Sequence, residues 1–84
     1  MTRYLVLKDT DNEIIISILE QKEGSSNDLL KSKIKQSVQD EYMEDVESVK
    51  LTELNNSYKV TATLVLDNGE KHTRDFILTY IALY

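Results

Sequence analysis

The 84 residues, 40% of them hydrophobic with two Gly and no Pro, have room for one ordered domain, residues 1–84, around one modest core. With no Cys the chain can build no disulfide scaffold, thiolate metal site or cysteine nucleophile, and a disulfide-free domain suits a reducing compartment. A net charge of −5 argues against direct nucleic-acid binding, which draws most of its affinity from neutralising phosphates.

Taken in chain order, residues 3–8 and 13–20 predict two strands, being rich in β-branched and aromatic side chains. Asp9-Thr10-Asp11-Asn12 between them is turn chemistry, since Asx side chains bond their own backbone. The expected hairpin puts Leu5 and Leu7 on one face with Ile14, Ile16 and Ile18, and Tyr4, Val6, Ile15 and Leu19 on the other. Both faces are then apolar enough to need cover.

Gly24 to Asp28 predicts a loop feeding a helix over 27–44, with Ser25, Ser26 or Asn27 as its cap and Asp28 at the positive end of the dipole. Leu30, Ile34, Val38 and Tyr42 recur every four residues, which keeps them on one helical face for about four turns. Val46 belongs to the element after the helix.

Three strands complete the chain. Val49 and Leu51 alternate with Lys50 and Thr52 in 47–54, and Asn55-Asn56-Ser57 forms the turn. Tyr58, Val60, Ala62, Leu64 and Leu66 alternate with polar residues and Val65, the pattern of a half-buried strand. Asp67-Asn68-Gly69 leads into a last strand over 70–83. A three-residue loop with Gly69 as a bulge sets Tyr58 opposite Leu78, Val60 opposite Phe76, Thr61 opposite Asp75 and Thr63 opposite Thr73. That register matches apolar to apolar and polar to polar, so it is preferred over a two-residue Asn68-Gly69 turn.

From Phe76 onward the last strand is apolar on both faces, the pattern of a strand central in a sheet or covered on both sides. The expected fold is therefore α+β, in the order ββαβββ: a five-stranded antiparallel sheet with one amphipathic helix packed on one face. One helix covers one face only. Ile15, Leu19, Ile77, Ile81 and Leu83 are expected on the uncovered side, as a homo-oligomer interface.

Five acids, Asp40, Glu41, Glu44, Asp45 and Glu47, fall within eight residues that contain no Lys or Arg. Without them, ten acids face ten bases, so the whole net charge sits in this stretch. Acids at a helix C-terminus oppose its dipole by about 0.3–1 kcal/mol each, and the like-charge pairs Asp40–Glu44 and Glu41–Asp45 add a few tenths more. Lys31, Lys33 and Lys35, the only local basic cluster, stand in the first half of the helix, where they oppose it too. A helix built for stability alone would reverse this polarity. Asp40, Glu41, Tyr42, Glu44, Asp45 and Glu47 are thus the candidate partner-binding residues, facing a basic protein or mimicking a nucleic acid. Tyr42 reads both as an aromatic anchor ringed by carboxylates and as the last rung of the apolar stripe.

Other chemistry is sparse. His72, the only histidine, lies opposite Leu64 and close to Arg74, in a sheet–helix crevice where a small molecule would be bound or an enzyme's base would stand, but no nucleophile accompanies it. Asp9 to Glu13 opens like a calcium loop, with Glu20 at the twelfth position, yet Ile14 stands where such a loop needs Gly. No phosphate-binding Gly loop, nucleophile elbow or zinc spacing is present. Asn55-Asn56-Ser57 matches a glycosylation acceptor, a chance match if the chain is cytoplasmic. Neither a signal peptide nor a bilayer-spanning run is visible, so the expectation is a cytoplasmic, non-enzymatic interaction protein with no catalytic residue, metal or cofactor. The alternatives are a self-associating structural subunit and a small-molecule-binding module or enzyme using the sheet–helix crevice near His72 and Arg74.

Overall fold

A computed structural model of the chain describes residues 2–22 and 24–81. Five strands and one helix occur in the order β1 (Thr2–Asp9), β2 (Ile15–Lys22), α1 (Asn27–Tyr42), β3 (Asp45–Glu53), β4 (Ser57–Val65) and β5 (Lys71–Tyr80). All five strands form one antiparallel sheet in the spatial order β2-β1-β5-β4-β3. The expected α+β fold is the one observed. The doubly apolar last strand is central, although it ends at Tyr80 rather than at 83; Leu83 lies outside the described residues.

Helix α1 covers one face. Leu30, Ile34 and Val38 are buried against Leu5, Leu7, Leu19, Val46, Tyr58, Val60, Ala62, Leu64, Phe76 and Leu78. Full burial of such aliphatic side chains stabilises by about 1.5–3 kcal/mol each, far more than this Ser- and Lys-rich helix draws from intrinsic propensity. Ser26 caps it, its Oγ accepting from the Leu29 amide at 3.3 Å. The helix stops at Tyr42, two residues short of the expected end, because Met43 turns into the left-handed region at φ 56° and donates its amide to the Gln39 carbonyl.

The β4–β5 hairpin has the bulged register: Tyr58 faces Leu78, Val60 faces Phe76, Thr61 faces Asp75, Thr63 faces Thr73 and Leu64 faces His72. Gly69, at φ 87°, supplies the conformation that loop needs and donates its amide to the Leu66 carbonyl.

The first hairpin departs from expectation. A bulge between Leu7 and Lys8 of the β1–β2 ladder leaves Ile16 as an extra residue, so Leu5 faces Leu19, Leu7 faces Ser17, Val6 faces Ile18 and Lys8 faces Ile15. The inward set is Leu5, Leu7, Ile16, Ser17 and Leu19; Ile16 packs against the core as expected, whereas Ile18 points outward, against the expected grouping. Leu19 is thus a core residue and not part of the uncovered face. Strict two-residue alternation fails here because the extra residue shifts every later side chain to the other face. Of the residues assigned to that face, Ile15 and Ile77 lie on it, and Ile81 continues the same alternation just past β5. A second bulge, at Glu47, lets Val46 and Val49 both face inward although three residues apart.

Candidate functional site

The acidic stretch wraps around the C-terminal end of α1. Asp40 and Glu41 occupy the last helical turn, Glu44 the connection, and Asp45 and Glu47 the start of β3. No basic residue stands in that turn to offset the dipole. Asp40 accepts from the Gln36 side-chain amide at 2.9 Å, and Glu47 pairs with Lys71 at 2.8 Å. Glu47 is the one acid of the five in an ion pair among the described residues. The Gln39 side chain takes the Val46 amide at 3.2 Å, fixing how β3 leaves the helix and hence where the carboxylates stand.

Tyr42 and Met43 divide the roles that the sequence left to Tyr42 alone. Tyr42 is half-buried, with its ring 6.2 Å from that of Phe76 and its hydroxyl turned inward, so it is the last rung of the stripe and no free anchor. Met43 takes the outer position instead, 86% exposed among Glu41, Glu44 and Asp45. Its φ of 56° is one that L side chains adopt at a cost of about 1 kcal/mol and that Gly adopts freely.

Beneath this surface lies a buried polar cluster. Asp9, which closes β1, is fully buried. Its Oδ2 accepts from the Tyr42 hydroxyl, from Arg74 Nε at 3.1 Å and from Arg74 Nη2 at 3.1 Å, while Oδ1 accepts from the Asp11 amide at 2.8 Å. The Arg74 guanidinium also stacks over the Tyr42 ring, 4.3 Å from its centroid. Three separated parts of the chain, the end of β1, the end of α1 and the middle of β5, are joined at this one carboxylate. Asp9 is therefore no cation ligand: the loop that opened like a calcium site is closed by an internal ion pair and an Asx turn. Among the described residues no group of three or more His, Asp and Glu is placed to hold a metal.

The contacts set the electrostatics. Burial works to raise the Asp9 pKa, but the hydrogen bonds from Tyr42, the Asp11 amide and Arg74, with the Arg74 charge, outweigh it and hold the carboxyl below its ordinary value. Burial and the bond to Asp9 push the Tyr42 phenol up to about 12. A raised pKa favours the protonated fold, so this contribution is complete below the ordinary tyrosine pKa and disappears as pH rises through about 12. In an ultraviolet titration, Tyr42→Phe is expected to remove an ionisation near 12. Wild-type and variant curves that coincide in that range would show that Tyr42 is not held as described.

His72 and Arg74 do line one surface depression with Asp11, Glu44 and Tyr42. It is open on one side, and the guanidinium at its wall is already committed to Asp9. His72 itself is exposed, across from Leu64. Asp9 escaped the reading of the sequence, although a signal was there: it continues the inward alternation Leu5, Leu7, and an acid in that position needs a buried partner. No helix of the described residues is long and apolar enough to cross a membrane. Comparison with protein-family models, with curated proteins and with solved structures found no match.

Proposed function

We propose that this chain is a non-enzymatic interaction module that engages a basic protein partner through the acidic end of α1. The observation that carries this reading is Met43, an exposed apolar side chain set among carboxylates, in a backbone conformation that disfavours it. An apolar contact surrounded by acids suits a basic amphipathic surface: the charges steer the encounter and the buried methionine holds it. The buried Asp9–Arg74–Tyr42 cluster supports the reading by fixing the helix end on the sheet. The partner-binding surface is accordingly Met43 with Asp40, Glu41, Glu44 and Asp45, while Glu47 is partly neutralised by Lys71.

The test is capture of basic proteins from a native lysate on the immobilised chain, at low and at high salt. Reversal of Asp40, Glu41, Glu44 and Asp45 to Lys is expected to abolish capture, and Met43→Gly to weaken it about tenfold while leaving the fold no less stable. Competition by duplex DNA would mark the partner's site as one that binds nucleic acid. The same proteins retained by the charge-reversed chain would overturn the reading.

A further inference from the structure

We propose that the sheet face turned away from α1 is a homodimer interface, on which a second copy of this chain stacks face to face over β2, β1 and β5. Ile15 and Ile18 of the edge strand are 60% and 61% exposed, and Val6 and Ile77 join them on the same face. The rest of that face on β4 and β3 is polar over Ser57, Lys59, Thr61, Thr63, Ser48, Lys50 and Thr52, with Val65 the single apolar residue, at the far end of β4 beside Lys71. The apolar patch is thus one-sided and stops at β5.

What identifies the occupant is the charge at the two ends of the patch. Val6 and Ile18 pair at its centre. Lys8, between Ile15 and Ile77, lies two residues to one side, with Asp75 of β5 two residues farther out; Glu20, beside Tyr4, lies two residues to the other, with Lys22 two residues farther out. Lys8 and Glu20 are therefore each about 7 Å from the centre, in opposite directions along the strands. A two-fold axis lying between the sheets and crossing the strands at Val6–Ile18 brings the Lys8 and Asp75 end of each copy over the Glu20 and Lys22 end of its partner, twice, so that opposite charges meet at equal distances from the axis with isoleucines between. An axis along the strands would bring Lys8 to the level of its own copy and Glu20 to the level of its own copy. A face that complements itself about a two-fold is the requirement for an isologous dimer.

Edge-to-edge pairing of β2 is disfavoured by a contact in the protomer. Tyr4 accepts from the Ile81 amide, so its main chain points toward β5, and the main chain of Glu20 opposite it points to the open edge. Lys33 Nζ donates to that Glu20 carbonyl at 2.5 Å, occupying an acceptor that an added strand would need. Three strands about 4.8 Å apart, with outward residues every 7 Å or so, give a patch of roughly 300 Å² in projection. Even doubled for side-chain relief, this is below the ~800 Å² per partner of a standard interface, so the dimer forms with rising concentration rather than being permanent.

Sedimentation equilibrium from micromolar to millimolar chain tests this directly. The wild-type mass is expected to double across the range, and Ile18→Lys to remain monomeric with an unchanged circular dichroism spectrum. Lys8→Glu and Glu20→Lys are each expected to weaken self-association about tenfold, and the two together to restore it. A wild-type chain monomeric throughout, an Ile18→Lys variant that dimerises as well as wild type, or a double charge variant no better than the singles would each overturn the proposal. None of these substitutions touches the acidic end of α1, so the outcome is independent of that surface.

Discussion

Arg74→Ala is expected to destabilise the fold by about 3–5 kcal/mol, the scale on which breaking a buried ion pair leaves the other charge stranded. Asp9 is fully enclosed, while the Arg74 side chain keeps 32% of its surface in water. The two ends of the pair are thus unequal. An arginine without its partner can still reach solvent, whereas the carboxylate without its arginine retains only the Tyr42 hydroxyl and the Asp11 amide. Removal of Arg74 should therefore be the more damaging of the two truncations, as read from urea denaturation. Acid should then separate this cause from simple loss of packing. In the wild type the depressed Asp9 pKa means stability is present above the ordinary aspartate pKa and is lost as pH falls below it. Without Arg74, two of the contributions that lower the Asp9 pKa are gone while burial still works to raise it, so the variant loses less on protonation than the wild type. The gap between wild type and variant should narrow as pH falls. A gap independent of pH would mean that the ion pair is not what Arg74 supplies.

Phe76→Ala is expected to cost a similar amount, about 3–5 kcal/mol, through the cavity it leaves. Phe76 is fully buried on the central strand, opposite Val60 of β4 and Asp9 of β1, with the Tyr42 ring on it. It is the largest enclosed side chain described. Phe76→Leu, which keeps most of the volume, should cost clearly less. The loss should not be additive with Tyr42→Phe, since the benzyl ring of Phe76 also holds the phenol against Asp9. Additive losses in urea melts would place the two side chains in independent environments, contrary to their ring contact.

The features legible in the sequence share a physical cause. The helix stripe Leu30, Ile34, Val38 and the β4–β5 register were legible because each is a local periodicity, set by residues close in sequence. The centrality of β5 was legible because a strand apolar on both faces has few other places to go. The Asp9–Arg74 bond joins residues 65 apart and leaves no periodic trace, so Asp9 passed for a turn residue. The face of Leu19 was misjudged for a related reason: a bulge adds one residue to a strand without changing its composition. At the acidic end the charge was visible, but which of two neighbours pointed outward was decided by the Met43 backbone, which composition does not report.

The central place of β5 also governs the order of assembly. The β1–β2 and β3–β4 hairpins can each zip as soon as they are made, but they occupy opposite ends of the sheet and share no ladder. Only the arrival of residues 71–80 joins them, through contacts that span most of the chain. A ribosome-bound chain lacking that segment holds two half-sheets with open edges and a helix with little to lie on. Such non-local closure makes for slow folding, and it concentrates the risk of wrong strand pairing in the interval before the keystone strand emerges.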